Sequence, residues 1–125
     1  MLNRLLLYIV YQSIFSSLLF SNIIIPINNS ILNYVHVLFE WEQVPDAIGY
    51  RLQISTDNNF SAIVSDTVIS SLVFIDKNNI EWSSDYFWRI KPVYIDQEST
   101  WSDANTFSTA AKHSDATAII YNDEE

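Results

Sequence analysis

The stretch that decides the fold is Ile80-Glu81-Trp82-Ser83-Ser84-Asp85-Tyr86-Phe87-Trp88-Arg89-Ile90. Its second half alternates, so that Tyr86, Trp88 and Ile90 point to one face of an extended chain and the residues between them point to the other. A period of two is typical of a strand with one buried face. Two large aromatic side chains on that face need a thick core opposite them, most simply a second sheet.

Other short segments with strand-like composition precede and follow this one. They lie at about 23–25, 35–42, 50–55, 60–69, 71–75 and 102–109. Turn residues, mainly Asn, Asp, Ser and Pro, separate them every eight to twelve residues, a spacing that predicts an antiparallel sandwich or barrel. We therefore predict an all-β domain of about seven strands. Its core should contain Trp41, Tyr50, Tyr86, Trp88 and Ile90, with Trp88 facing Trp41.

Five motifs, in this order, resemble the fibronectin type III family, in particular the domains found in bacterial exported proteins. They are Phe39-Glu40-Trp41, Val44-Pro45-Asp46-Ala47, the segment from Tyr50 to Asp57 with Phe60 after it, Tyr86-Phe87-Trp88-Arg89-Ile90, and Ser99-Thr100-Trp101-Ser102 leading to Phe107-Ser108-Thr109. The resemblance covers about residues 22–109. It implies an immunoglobulin-like antiparallel β-sandwich.

The residues before Tyr86 resemble the corner between strands E and F of that family, where the pattern is Leu-x-Pro-x-Thr-x-Tyr. Ile80, Trp82 and Ser84 replace its Leu, Pro and Thr, and Tyr86 keeps its place. The tyrosine hydroxyl at such a corner hydrogen-bonds to the backbone a few residues upstream, and we expect Tyr86 to do so. Trp82 in place of proline should leave the corner backbone less restrained.

The N-terminal segment, residues 1–21, is predicted to be a hydrophobic signal or anchor helix that directs export. Arg4 is followed by two apolar runs, and no acidic residue precedes Glu40. A cleaved signal peptide and an uncleaved anchor within residues 5–27 both fit, since the apolar stretch reaches about 20 residues. Both place the bulk of the chain outside the cytoplasm, as a secreted, periplasmic or cell-surface protein. Residues 110–125 are interpreted as a linker or the start of a further region.

Composition narrows the possible partners. The chain has 15 acidic and six basic residues and a formal charge of -9, so it should repel phosphate backbones, and nucleic acid is not an expected partner. Solubility is the simplest role for this charge. The absence of cysteine excludes disulfides, thiolate metal sites and a cysteine nucleophile.

The sequence contains no recognisable catalytic, metal or cofactor site. His36 and His113 have no carboxylates at ligand spacing. The single glycine, Gly49, excludes a Gly-x-Ser-x-Gly elbow and a phosphate-binding glycine loop. Four turn aspartates lack the spacing of a calcium loop and are expected to be solvated: Asp57, Asp76, Asp96 and Asp103. We therefore expect a non-enzymatic protein without a cofactor.

The resemblance and the export signal imply a module that spaces or presents neighbouring domains, or binds a protein or a polysaccharide. Three residues form a candidate binding surface, namely Phe87, Arg89 and Trp101. For Trp101, the resemblance favours packing over the sheet edge. Two further functions remain open: the N-terminal accessory module of a secreted enzyme acting on carbohydrate or another extracellular substrate, and a membrane-anchored surface domain.

Overall fold

The computed structural model describes residues 22–113, and within that range the chain is all-β. The strands are β1 (Ile23–Ile25), β2 (Ser30–Leu32), β3 (Val37–Trp41), β4 (Gly49–Ser55), β5 (Ile63–Ile69), β6 (Val73–Asp76), β7 (Asp85–Val93) and β8 (Asn105–Thr109). One sheet has the order β1-β3-β6 and the other β2-β8-β7-β4-β5. The predicted all-β architecture with a second sheet across the core is confirmed. The predicted N-terminal helix and most of the region after residue 109 lie outside the described residues.

The prediction of a purely antiparallel sandwich was wrong at β2. Asn28 and Asn29 form a turn, and Ser30 then begins a short strand that pairs in parallel with β8. Asn29 adopts a φ of 65°, which asparagine tolerates better than most residues, and its N–H donates to the carbonyl of Thr106 at 2.8 Å. A three-residue strand is too short for periodicity to reveal, so only its partner, β8, defines it.

The N-terminal strand limits the anchor proposed over residues 5–27. Ile23–Ile25 form β1, which pairs with β3, and Pro26 is buried. Because these residues belong to the sandwich, the apolar stretch available for an anchor shrinks to residues 5–21, or 17 residues. That length is at the lower limit of about 17 to 25 residues for a transmembrane helix.

The alternation predicted for residues 86–90 is present in β7. Tyr86, Trp88 and Ile90 are buried, and the residues between them are partly exposed. β7 pairs with β4 on one side and β8 on the other, so it lies in the middle of the larger sheet. The buried face of β7 therefore forms one side of the core, opposite the smaller sheet.

Aromatic rings fill the space between the two sheets. Phe39 lies edge-on to Trp88 with the ring centroids 4.9 Å apart, and Tyr86 stacks on Phe107 at 5.2 Å. The prediction that Trp88 faces Trp41 was wrong in this detail. Trp41 lies two residues after Phe39, which is about 7 Å further along β3. Its ring packs on that of Tyr50 instead, with the centroids 5.7 Å apart.

The corner before β7 is held by hydrogen bonds. The predicted bond of Tyr86 is present: its hydroxyl accepts from the N–H of Glu81 at 2.8 Å. The hydroxyl of Thr109 donates to the Glu81 carbonyl at 2.6 Å, and Ser84 Oγ donates to the carbonyl of Trp82 at 3.0 Å. These bonds restrain the backbone where a proline would otherwise do so.

Asp76 was wrongly predicted to be solvated. It is only 1% exposed, and its carboxylate accepts from the N–H groups of Asn78 and Asn79 at 3.0 and 2.8 Å and from Asn79 Nδ2 at 2.9 Å. A buried carboxylate is tolerated when its oxygens are hydrogen-bonded in this way. Asp96 and Asp103 are exposed, as predicted.

We predict that Tyr86→Phe lowers the free energy of unfolding by about 1 to 2 kcal/mol, because the Glu81 N–H loses its acceptor in a partly buried place. Urea denaturation of the variant and the parent measures this difference. Tyr34→Phe, at a ring that is 46% exposed, is the control and should change the stability by less than about 0.5 kcal/mol. Equal effects of the two substitutions would contradict a specific role for the corner bond.

Candidate functional site

The outer face of the larger sheet collects most of the positive charge of the described residues. Arg51 and Gln53 on β4 stand directly opposite Lys91 and Arg89 on β7. The described range contains five basic residues, namely Arg51, Lys77, Arg89, Lys91 and Lys112, so three of the five lie here. In a chain of formal charge -9 this concentration makes the face the candidate site.

Arg89 lies between two aromatic rings. Its guanidinium carbon is 4.0 Å from the ring centroid of Phe60 and 4.3 Å from that of Trp101. Nε and Nη2 of Arg89 both donate to Gln53 Oε1, at 3.0 and 2.8 Å. Burial lowers the pKa of Arg89, and repulsion from Arg51 adds to this effect. The cation thus joins the rings of two loops to the sheet, as cation–π and planar hydrogen-bonding contacts of arginine allow.

The loop that carries Phe60 is folded around Asp57. The carboxylate of Asp57 accepts from Ser55 Oγ at 2.6 Å, from the N–H groups of Ser61 and Ala62 at 3.0 and 3.1 Å, and from the Ser61 hydroxyl. The hydroxyl of Ser55, then that of Ser61, and the Ala62 N–H lower the pKa of Asp57 far below its ordinary value. Asp57 is therefore a loop-organising residue, and Phe60, with a φ of 54°, is placed by it under Arg89.

Trp101 is held over β7 by its neighbour in the loop between β7 and β8. Ser102 donates its N–H to the Ile90 carbonyl at 2.8 Å, and its hydroxyl accepts from the Ile90 N–H at 3.1 Å. This pairing fixes the half-buried indole above the cations. Lys91 Nζ is 4.9 Å from the indole centroid and the Arg51 guanidinium 5.8 Å.

A bidentate ion pair between Arg51 and Asp66 lies at the outer side of this network. Nε and Nη2 of Arg51 donate to the two carboxylate oxygens of Asp66 at 2.8 and 2.7 Å, and Gln53 Nε2 donates to Asp66 at 3.0 Å. The hydrogen bond from Arg51 is the main cause of the lowered pKa of Asp66. The positive charge of Arg51 is thereby largely neutralised.

Next to Trp101 a shallow cleft of about 210 Å³ opens between the sheet and the loop after β7. Its lining consists of Arg51, Lys91, Pro92, Val93, Tyr94, Gln97, Glu98 and Ser99. The Ser99 hydroxyl donates to the Pro92 carbonyl, which holds the loop to the end of β7. Within residues 22–113 no carboxylate lies within ion-pair distance of the Lys91 ammonium.

The predicted surface residues have different surroundings. Arg89 and Trp101 are stacked together, so packing describes the position of Trp101. Phe87 lies on the same face, half-buried, between Ser55 and Thr106 of the neighbouring strands. The sequence did not single out four residues of this network, namely Arg51, Gln53, Asp66 and Lys91. Their outward positions follow from the alternation of β4, β5 and β7. Their contacts with one another depend on the register of these strands.

The five residues predicted as structural all lie in the core: Trp41, Tyr50, Tyr86, Trp88 and Ile90. The Tyr50 hydroxyl also accepts from the Val44 N–H at 2.7 Å, which closes the loop between β3 and β4. Across the part of the chain that the structure describes, no three His, Cys, Asp or Glu side chains are grouped to hold a metal ion. The same part has no helix long and apolar enough to cross a membrane.

Comparison of the sequence with protein-family models gives no match, and comparison with curated proteins gives none either. The function of this chain is therefore inferred from its residues and their geometry.

We predict that Arg89→Lys lowers the free energy of unfolding by about 1 to 2 kcal/mol. Lysine keeps the charge but loses the planar stack between two rings and the paired bonds to Gln53. Arg51→Lys is the matched control, because it makes the same change at a partly exposed ion pair whose whole contribution is less than about 1 kcal/mol. Urea denaturation compares the two, and a larger loss in Arg51→Lys would contradict the role given to Arg89.

We also predict that stability falls as the pH drops below about 4. Asp57 and Asp66 have lower pKa values when folded than the ordinary 3.8, so their contribution is complete above that value and is lost as the pH falls through the folded pKa. In the Asp57→Asn variant the free energy of unfolding should therefore fall less steeply with decreasing pH than in the parent. Urea denaturation between pH 7 and 2 measures this slope. The exposed substitution Asp96→Asn makes the same change of charge and should leave the slope unchanged.

Proposed function

We propose that this chain is an exported, non-enzymatic module of the fibronectin type III type that acts as a spacer and presents the segment after it. The observation that carries this proposal is the placement of the two ends of the described chain. The chain enters the sandwich at one end of β7 and leaves it at the other.

The entry point is fixed by contacts of Asn22. The Glu42 N–H donates to the Asn22 carbonyl at 2.9 Å, which places Asn22 beside the end of β3. The loop after β3 leads into Gly49 at the start of β4, and Gly49 pairs with Val93, the last residue of β7. The chain therefore enters at the end of the sandwich where β7 terminates.

The exit point lies where β7 begins. The Thr109 N–H donates to the Ser84 carbonyl at 2.9 Å, and the Ser83 N–H donates to the Ala110 carbonyl at 3.0 Å. Ser83 and Ser84 directly precede β7, which starts at Asp85. Nine residues of strand separate the two ends, or about 30 Å at about 3.3 Å per residue. Such a domain would hold the segment that follows it about that far from its own N-terminal end.

The arrangement of strands supports the family part of the proposal. With β1, β3 and β6 as strands A, B and E, and β4, β7 and β8 as C, F and G, the two sheets have the composition of an immunoglobulin-like sandwich. In this assignment β5 belongs to the larger sheet, because it pairs with strand C (β4) and not with strand E (β6). The hydrogen bond between the Tyr86 hydroxyl and the Glu81 N–H also supports it, since this corner recurs in such domains.

The shortened apolar stretch favours a cleaved signal over an anchor. Ile23–Ile25 are needed in β1, so an anchor would have 17 residues, from 5 to 21, and no spacer before the first strand. A typical span of about 20 residues is therefore not available without unpairing β1. We propose that the mature protein starts near Asn22 and is free outside the cytoplasm.

The spacing is tested with pairs of spin labels, because the chain contains no cysteine that would compete for them. Labels at Asn22→Cys and Ala111→Cys should be roughly 30 to 40 Å apart by pulsed electron resonance. Labels at Asn22→Cys and Asp46→Cys, both at the entry end, should be much closer. Equal distances for the two pairs would refute the placement of the ends.

Export is tested with a phosphatase reporter, active only outside the cytoplasm, fused after Glu125. Activity should require residues 1–21, and N-terminal sequencing of the exported product should give a start near Asn22. An inactive reporter in the intact chain would refute export. A product that keeps residues 1–21 and fractionates with membranes would instead support the anchored surface domain.

A further inference from the structure

β6 lies at the edge of the smaller sheet, and among the described residues it pairs with β3 alone. The Trp41 N–H donates to the Leu72 carbonyl at 3.2 Å, which extends this ladder by one residue before β6. In an antiparallel ladder, residues that exchange hydrogen bonds alternate with residues that do not. Leu72 and Phe74 therefore turn their backbone groups toward β3. Val73 and Ile75 turn theirs toward the open edge.

The side chains at this edge are apolar on both faces of the sheet. Val73 and Ile75 are 43% and 50% exposed on the outer face, where Leu38 of β3 stands opposite Ile75. Phe74 points inward and is half-buried, with its ring 6.4 Å from that of Phe39. Exposed apolar side chains beside open backbone groups favour the addition of another strand.

Two other edges of the sandwich are protected against such pairing. β1 has a register shift between Ile23 and Ile25 and ends directly before Pro26. β5 carries the ion-paired Asp66 in its middle. Bulges, prolines and charges are the usual means of protecting an edge strand, and residues 72–75 have none of them. Of these three edges, β6 is the least protected.

Two copies of β6 fit each other in antiparallel orientation about a two-fold axis at Phe74. Residues opposite one another must then point to the same face, and Val73 of each copy stands opposite Ile75 of the other. Because these two residues present their backbone groups at the edge, the two strands can exchange four hydrogen bonds. The Val73 N–H donates to Ser71 Oγ at 3.1 Å and would exchange that bond for one to the second copy.

The same register also matches the side chains. Val73 meets Ile75 twice on the outer face, and the two Phe74 rings meet on the inner face. A shift by two residues in either direction would place Ile75 opposite the polar Ser71, or Val73 opposite the charged Lys77. The edge is therefore most complementary to a second copy of itself in this one register.

Charges near the edge complement each other in this register. The exposed Lys77 follows β6 and comes opposite Ser71 of the second copy, in the same row as Glu42 of that copy. Two strand spacings, about 10 Å, separate the Lys77 and Glu42 backbones, a distance that the two side chains can span. The two Glu40 residues are about 16 Å apart, beyond the Debye length of about 10 Å at 0.1 M salt. The formal charge of -9 on each copy still opposes association at long range, so a tight dimer is not expected.

We propose that this chain forms a weak two-fold dimer through antiparallel pairing of β6, which joins the two smaller sheets into one sheet of six strands. A ladder of this length buries a small area, and interfaces below about 1,200 Å² belong to weak or transient complexes. The two copies run in opposite directions, so the segments that follow them leave at opposite ends of the dimer. This self-association goes beyond the spacer role and does not depend on it.

Single cysteines test the register, since the chain has no cysteine of its own. A 1:1 mixture of Val73→Cys and Ile75→Cys should form mixed disulfide-linked dimers several-fold faster than either variant alone. Only the mixed pair stands directly opposite, with Cα atoms about 5.5 Å apart, whereas identical residues are about 9 Å apart. Ile31→Cys, which is 76% exposed on the edge strand β2, is the control and should cross-link no faster than collisions allow. Equal rates for the control and the mixture, or faster linking of either β6 variant to itself, would overturn the proposal.

Sedimentation equilibrium of the exported chain measures the dimer directly. Ile75→Lys should weaken association at least about tenfold, because it places a charge opposite Val73 in an apolar contact. Ile31→Lys makes the same change of residue and net charge on the other sheet and should not weaken association. Equal weakening by the two variants, or a parent that remains monomeric at about 1 mM, would overturn the proposal. Both isoleucines are exposed, so both variants should keep the parent's unfolding midpoint.

A charge exchange tests the outer contact. Lys77→Glu should weaken the dimer, and the addition of Glu42→Lys to the same chain should restore it. Failure of the second change to restore association would contradict the register. A monomeric parent whose Ile75→Cys variant cross-links to a different exported protein would assign the β6 edge to a foreign strand and overturn the proposal. The distance measurement between the two ends of the chain would be unaffected by that result.

Discussion

The structure depends on the packing of one face of β7 against the smaller sheet. Trp88 and Ile90 are completely buried there, and Phe39 from β3 meets the Trp88 ring edge-on. Burial of several aromatic side chains, each covering about 150 Å² or more on the general scale, dominates the stability of a domain of this size. Because β7 is also paired on both edges, its position fixes the register of β4 and β8. The outer-face residues acquire their neighbours from that register.

On the outer face of the larger sheet, the surroundings of the residues differ from those that the sequence pattern indicates. The alternation of the sequence places Arg89 on the outer face. In the structure Arg89 contacts the ring of Trp101 and also stacks on Phe60. The cation and the rings tie two loops to the sheet, so most of their contact surface is already used. The adjacent cleft lies on the same face and is lined in part by Arg51 and Lys91.

Several features were predictable because they depend on local order. The alternation of β3, β4 and β7 and the turns between them follow from period and spacing. The hydrogen bond of Tyr86 was expected from the resemblance of its segment to the corner of the fibronectin type III family. Others were not. Asp76 was expected in solvent, but it is buried because the turn after β6 folds its own amides around the carboxylate. β2 was not predicted, because three residues carry no period, and its pairing with β8 joins segments more than 70 residues apart.

The sequence by itself determined which residues face inward, since a strand's side chains must alternate and apolar ones must leave water. It also determined the all-β class, through the regular spacing of turns, and the acidic character of the surface. Only the tertiary structure decided which buried ring meets which, that Phe39 and not Trp41 packs on Trp88, and that Arg51 stands opposite Lys91. Those contacts depend on strand order and register, which are set by the fit of two whole sheets and cannot be predicted from any one segment.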